Sequence, residues 1–173
     1  ACCHGLHSTL EALLEIIRNN IIDIKYITKI KIETNKSWLK VCNIKKPSTG
    51  LEAKFSYSLT TSMVLNGINM TKPSSYSDKI CKSNELNKLR DKVLVEGRTN
   101  IPKSKSIVTI YEGKKTIKNS FDLSETIKTK VLYKKILNKS ETLLGKSKLD
   151  KLLKIIDQPK IKKTKNLIKI LST

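Results

Sequence analysis

The stretch from Ile107 to Lys118 constrains this fold more than any other. Ile107-Val108-Thr109-Ile110-Tyr111 and Thr116-Ile117-Lys118 flank the turn-forming Glu112-Gly113-Lys114-Lys115. Two runs rich in β-branched residues around a Gly-containing turn predict a β-hairpin. A lone hairpin is marginal in water, so it needs further strands or helices on its apolar face. Ile27 to Glu33 supplies a half-exposed strand, with Ile30 and Ile32 alternating with Lys29 and Lys31. Val93–Val95 predicts a short further strand.

Helices are predicted around these strands. Ser8-Thr9-Leu10-Glu11 has the pattern of a capping box. The helix it opens runs from about Thr9 to Asn19-Asn20, with Leu10, Leu13, Leu14 and Ile17 on one face. Pro47-Ser48-Thr49-Gly50 predicts a turn. One helix then extends from Leu51 to Gly67 through Phe55, Leu59, Met63 and Leu65. Thr71 to Ser77 is polar loop. Ser83 caps a helix through Leu86 and Leu89 to Arg90. After Asp122 only helices are predicted: about Ser124 to Asn138, Glu141 to Leu144, Lys148 to Asp157, and a last one after Pro159. There is no internal repeat. The simplest architecture is α+β, a two-layer sandwich of helices on a mainly antiparallel sheet with a helical C-terminal tail. Its α+β core spans 1–121 and a helical closing segment spans 122–173.

The net charge of +20 invites a nucleic-acid reading, and the composition argues against it. Only Arg18, Arg90 and Arg98 among the 35 basic residues are Arg, the side chain best suited to bidentate recognition of bases and phosphates. Aromatic residues are 5%, thin for a base-stacking surface. Abundant Lys, Ile and Asn together mark biased coding composition. The charge is concentrated late, at +13 over 101–173 against +7 over 1–100, on helix-like segments where Lys covers solvated faces. No apolar run approaches the ~18 residues of a membrane span, and no secretory signal is visible. Cys2, Cys3, Cys42 and Cys81 form no CxxC pair, which predicts reduced thiols in a cytoplasmic protein.

Chemistry concentrates in two segments. Ala1-Cys2-Cys3-His4-Gly5-Leu6-His7 holds both histidines just ahead of a helix N-terminus, an environment that favours anionic ligands. A histidine there can act as a general base or, protonated, as an anion clamp. From the residues alone His7 reads equally well as a flanking residue and His4 as a surface one. Adjacent cysteines without two-residue spacers disfavour zinc, so no metal is expected. The second segment, Pro47 to Ser56, delivers Lys54 and the hydroxyls of Ser56 and Tyr57. By pattern alone, Tyr57 and Ser58 read as helix surface.

Together, CCHGLHSTLEAL and, some forty residues on, PSTGLEAKFSYSLTTSMVLNG resemble the C-terminal domain of the MmgE/PrpD family. That family includes 2-methylcitrate dehydratase, cis-aconitate decarboxylase and iminodisuccinate epimerase. Its Cys, His and acidic pattern matches Cys3, His7 and Glu11, and its Ala-(Lys/Arg)-Phe-Ser helix start matches Ala53 to Ser56. The resemblance is strong over 1–67, weaker after 95, and leaves Leu59 where family members often carry Tyr.

The resemblance implies a cofactor-independent lyase or isomerase. Such an enzyme removes a proton next to a carboxylate of a di- or tricarboxylic acid, then loses water or carbon dioxide or reprotonates. It assigns His7 and Cys3 to catalysis and Lys54, Ser56, Tyr57 and His4 to substrate binding. It also implies an N-terminal helical domain, absent from this chain, with the active site between the two domains, and a homodimer. A chain starting at Ala1 is then expected to be a fragment, inactive alone. The competing expectations are a catalytically silent structural module and, behind it, a basic nucleic-acid binder.

Overall fold

The structure is a computed structural model that describes residues 2–156. Its contacts divide the chain into two compact units, Ala1–Thr126 and Ile127–Thr173. The first holds helices α1 (His7–Asn19), α2 (Leu39–Cys42), α3 (Gly50–Ala53), α4 (Tyr57–Leu65), α5 (Asp78–Cys81) and α6 (Asn84–Arg90). It also holds strands β1 (Ile27–Asn35), β2 (Val93–Arg98), β3 (Lys105–Glu112) and β4 (Lys115–Asp122). The second holds α7 (Thr129–Leu144) and α8 (Lys146–Ile156).

The sheet order is β2-β1-β3-β4. β1–β3 and β3–β4 are antiparallel, and β1–β2 is parallel. The hairpin forms as predicted. Glu112 pairs with Lys115 around Gly113-Lys114, with Gly113 at φ 56° where a side chain would be strained. Parallel pairing of β1 with β2 demands a long crossover. Residues 36–92 make that crossover, and the second chemistry-bearing segment lies within it. Ile30, Ile32, Val108 and Ile110 point from the sheet into the main core, where they meet Leu6, Leu10, Leu13 and Ile16 from the first helix and its approach. A second core gathers Ala53, Leu59, Met63, Tyr76, Cys81 and Leu86. The architecture is therefore α+β, with helices laid on a mostly antiparallel sheet.

Four local expectations change. Ser8 caps nothing: α1 begins at His7, and the Ser8 hydroxyl lies 2.8 Å from the Ser106 hydroxyl in the interior. The capping box instead falls at Thr49, whose hydroxyl accepts from Glu52 N while the Glu52 carboxylate reaches back.

The single helix expected over Leu51–Gly67 is two. Ser56 is extended, pairs with Asn43 in an isolated bridge, and accepts from Leu59 N to start α4. Its hydroxyl offers the backbone an alternative to helix continuation. Gly67 does terminate the second piece, at φ 71°.

The helices expected at Ser124–Asn138 and Glu141–Leu144 are one, α7. Ser124 is held in a turn by the Asp122 carboxylate, which delays the start, and Gly145 at φ 79° ends it. The last helix, after Pro159, lies outside the described residues.

Tyr57 and Ser58, read as surface, are buried. So is Tyr76, inside the stretch expected to be polar loop.

Candidate functional site

The two chemistry-bearing segments meet. The amide of Cys3 donates to the Lys54 carbonyl at 3.0 Å, and Leu6 N closes back on the Cys3 carbonyl. A short 3-10 turn, His4–Leu6, then feeds directly into α1. His7 is thus the first helical residue, in a first turn that carries no acidic side chain. Its Nε2 lies 3.3 Å from the Cys2 carbonyl. The His4 ring stands edge-on to it, centroids 5.2 Å apart. His4 is exposed, and Cys2, Cys3, His7 and Lys54 are half-buried.

Lys54 Nζ sits over the Tyr76 ring at 5.7 Å, within the range of a cation–π contact. The Tyr76 hydroxyl lies 3.5 Å from the Met70 carbonyl, and the Cys2 thiol packs against the same second core. Burial pushes both of these groups toward their neutral forms, raising the Cys2 thiol and the Tyr76 phenol. The Cys42 thiol, at the end of α2, donates to Cys3 Sγ at 3.2 Å. Burial first, and that hydrogen bond second, push Cys42 up to about 12.

Cys3, His4 and His7 therefore lie along one edge, which is tied to the second segment at the Lys54 carbonyl. Ser56 and Tyr57 stand behind it in the interior. Ser56 is fully buried and caps α4. Tyr57 is fully buried, and its hydroxyl donates to the Gly5 carbonyl at 2.7 Å. Burial raises its phenol as well. Both hold the wall on which the half-exposed groups stand. Sequence reasoning missed Tyr76 and Cys42. An aromatic inside an otherwise polar loop was the available sign for Tyr76, and Cys42 carried none.

Two imidazoles on the first segment and an ammonium on the second supply cationic and hydrogen-bonding groups of the kind that suit carboxylate oxygens. Among the described residues no three His, Cys, Asp or Glu side chains are grouped as metal ligands. No helix among them is long and apolar enough to cross a membrane.

The model of the MmgE/PrpD C-terminal domain matches residues 1–147. The chain belongs to the MmgE/PrpD family. The match takes in both segments of the site, the whole sheet and α7, and stops at the start of α8. MmgE/PrpD proteins are of lyase or isomerase type. Comparison with curated proteins gives no significant match.

Proposed function

We propose that this MmgE/PrpD domain binds a di- or tricarboxylic acid and serves a cofactor-independent lyase or isomerase reaction of the 2-methylcitrate dehydratase kind. The observation that supports it is the Cys3–Lys54 main-chain bond, which joins the segment bearing His4 and His7 to the one bearing Lys54. In this reading His7 is the acid/base, or a carboxylate ligand. Cys3 is the group beside it. Lys54 and His4 neutralise substrate carboxylates and the charge that develops as a neighbouring C–H is deprotonated. Ser56 and Tyr57 keep the two segments in register. The family's helical N-terminal domain completes the site in a homodimer, in the cytoplasm.

The two histidines are the only ones in the chain, so each gives a separate imidazole signal. Titration of the isotope-labelled chain with 2-methylcitrate, cis-aconitate or citrate is expected to shift the His7 signal saturably. Lys54→Met is expected to weaken that binding about tenfold, the effect of about 1.4 kcal/mol. In the domain assembled with the helical domain, His7→Gln is expected to lower kcat by about 10²–10⁴. Histidine signals that ignore all three acids, both in the chain alone and in its assembly with the helical domain, overturn the reading and leave a structural module.

A further inference from the structure

We propose that Cys3 and Cys42 form a reversible disulfide, so that the edge carrying His4 and His7 is a redox-sensitive modification site. The two sulfurs are 3.2 Å apart, and both are free thiols. A disulfide needs about 2.05 Å, so bond formation requires an approach of little more than an ångström. The segment able to make it is the one bearing Cys3. It precedes the first helix and is half-buried, with the Cys3 amide on the Lys54 carbonyl as its tie to the second segment.

The two thiols have different access. Cys3 is half-buried and within reach of a small oxidant, whereas Cys42 is 0% exposed. The Cys42 S–H points at Cys3 Sγ, so the two sulfurs already face each other and Cys3 is the one an oxidant can reach. Cys3 is therefore the attacking sulfur and Cys42 the resolving one. The other cysteines face elsewhere. The Cys2 thiol packs against the second core, and the Cys81 S–H donates to the Thr49 carbonyl at 3.2 Å. Burial holds Cys42 protonated, so its proton must leave as its sulfur attacks.

A small-molecule disulfide such as oxidised glutathione supplies the oxidising equivalents. The Cys3 thiolate attacks one glutathione sulfur, the glutathione S–S bond breaks, and one glutathione thiolate departs. Cys42 then attacks Cys3 Sγ and loses its proton to the second departing glutathione. Two protein thiols are oxidised to one disulfide, and one glutathione disulfide is reduced to two thiols. The new bond ties the segment carrying both histidines to α2. This proposal does not depend on carboxylate binding, and its test uses no carboxylate ligand.

The test is to equilibrate the reduced 173-residue chain in glutathione redox buffers, trap it in acid, and map peptides without reduction. The expected product is a Cys3–Cys42 cross-link, lighter by two hydrogens (about 2 Da) and reversed by dithiothreitol. Tandem fragmentation distinguishes Cys3 from Cys2. Cys2→Ser is expected to retain the cross-link, and Cys3→Ser to abolish it. The oxidised chain is expected to unfold roughly 5–10 °C higher, because the bond closes a loop of about forty residues. Three outcomes overturn the proposal: glutathione stably attached to Cys3 with Cys42 still free, a cross-link to Cys42 that persists in Cys3→Ser, or thiols unchanged across the redox range.

Discussion

The Tyr57 hydroxyl donates to the Gly5 carbonyl at 2.7 Å, deep in the core and directly beneath the turn that carries His4. It ends a chain of buried hydroxyls. Ser8 lies 2.8 Å from Ser106, Ser106 donates to Thr34 at 3.2 Å, and Thr34 lies 3.4 Å from Tyr57. A hydroxyl has one proton to give. Tyr57 gives its proton to Gly5, so it accepts from Thr34. Thr34 accepts from Ser106, and Ser106 accepts from Ser8. The chain runs in one direction from α1 through β3 and β1 to α4, and every member is buried.

Tyr57→Phe is therefore expected to cost about 1–3 kcal/mol, because it leaves a buried carbonyl and the end of the chain unsatisfied. Urea unfolding checks this. Thr34→Val is expected to cost a similar amount, and the double variant less than the sum, since the two residues share one network. Additive losses would show that the hydroxyls act separately.

Gly5 and Gly50 test how tightly the two segments are fitted. A Cβ on Gly5 would meet the Trp38 ring at 2.6 Å and Cys42 Sγ at 2.9 Å. One on Gly50 would meet the Tyr76 carbonyl oxygen at 2.4 Å. Side chains can turn aside more readily than backbone. Gly5→Ala is expected to cost about 1–3 kcal/mol by overpacking, and Gly50→Ala at least as much. Thermal unfolding of the two variants side by side gives the order.

Why some of this was legible and some not follows from particular residues. The hairpin, the strand of Ile30 and Ile32, and the Ser83-capped helix are local patterns, and each formed in place. The helix break at Ser56 was hidden because Leu59 and Met63 continue the apolar spacing. What stops the helix is a bridge to Asn43, thirteen residues away. Ser8 matched a capping pattern, but its partner is Ser106, on a strand no local window contains. The candidate site was partly visible. His4, His7, Cys3 and Lys54 were singled out from two separate segments, and the main chain joins those segments at the Cys3 amide and the Lys54 carbonyl. Tyr76 and Cys42 reach the same place only through the crossover between β1 and β2. Burial of Ser56 and Tyr57 is likewise a tertiary property, since their helix is apolar on several sides rather than on one.

The break itself can be tested. Ser56→Ala removes the hydroxyl that accepts from Leu59 N at 3.2 Å and leaves the main-chain bridge to Asn43 in place. A loss of about 0.5–2 kcal/mol is expected, the usual cost of an N-cap. Ser56→Asp restores an acceptor but buries a carboxylate, so it is expected to be worse than alanine. Thr49→Ala, at the exposed capping box, is expected to lose about 1 kcal/mol. For Thr49, unlike Ser56, Asp is expected to rescue.

Acid unfolding isolates a last feature. The Ser124 hydroxyl, together with the Ser104 hydroxyl and the Ser124 amide, holds the Asp122 carboxyl down to about 2 from an ordinary 3.8. A carboxyl whose pKa is lower in the folded chain favours folding at every pH above its unfolded value. That contribution fades as the pH falls from about 4 to about 2, and below 2 it is gone. Asp122→Asn keeps an acceptor oxygen and loses the charge. The wild type is expected to exceed the variant in urea midpoint by a constant margin from pH 7 to 5, and the margin is expected to close between pH 4 and 2. A margin that stays constant to pH 2 would show that the turn at Asp122–Ser124 owes its hold to geometry and not to the carboxylate charge.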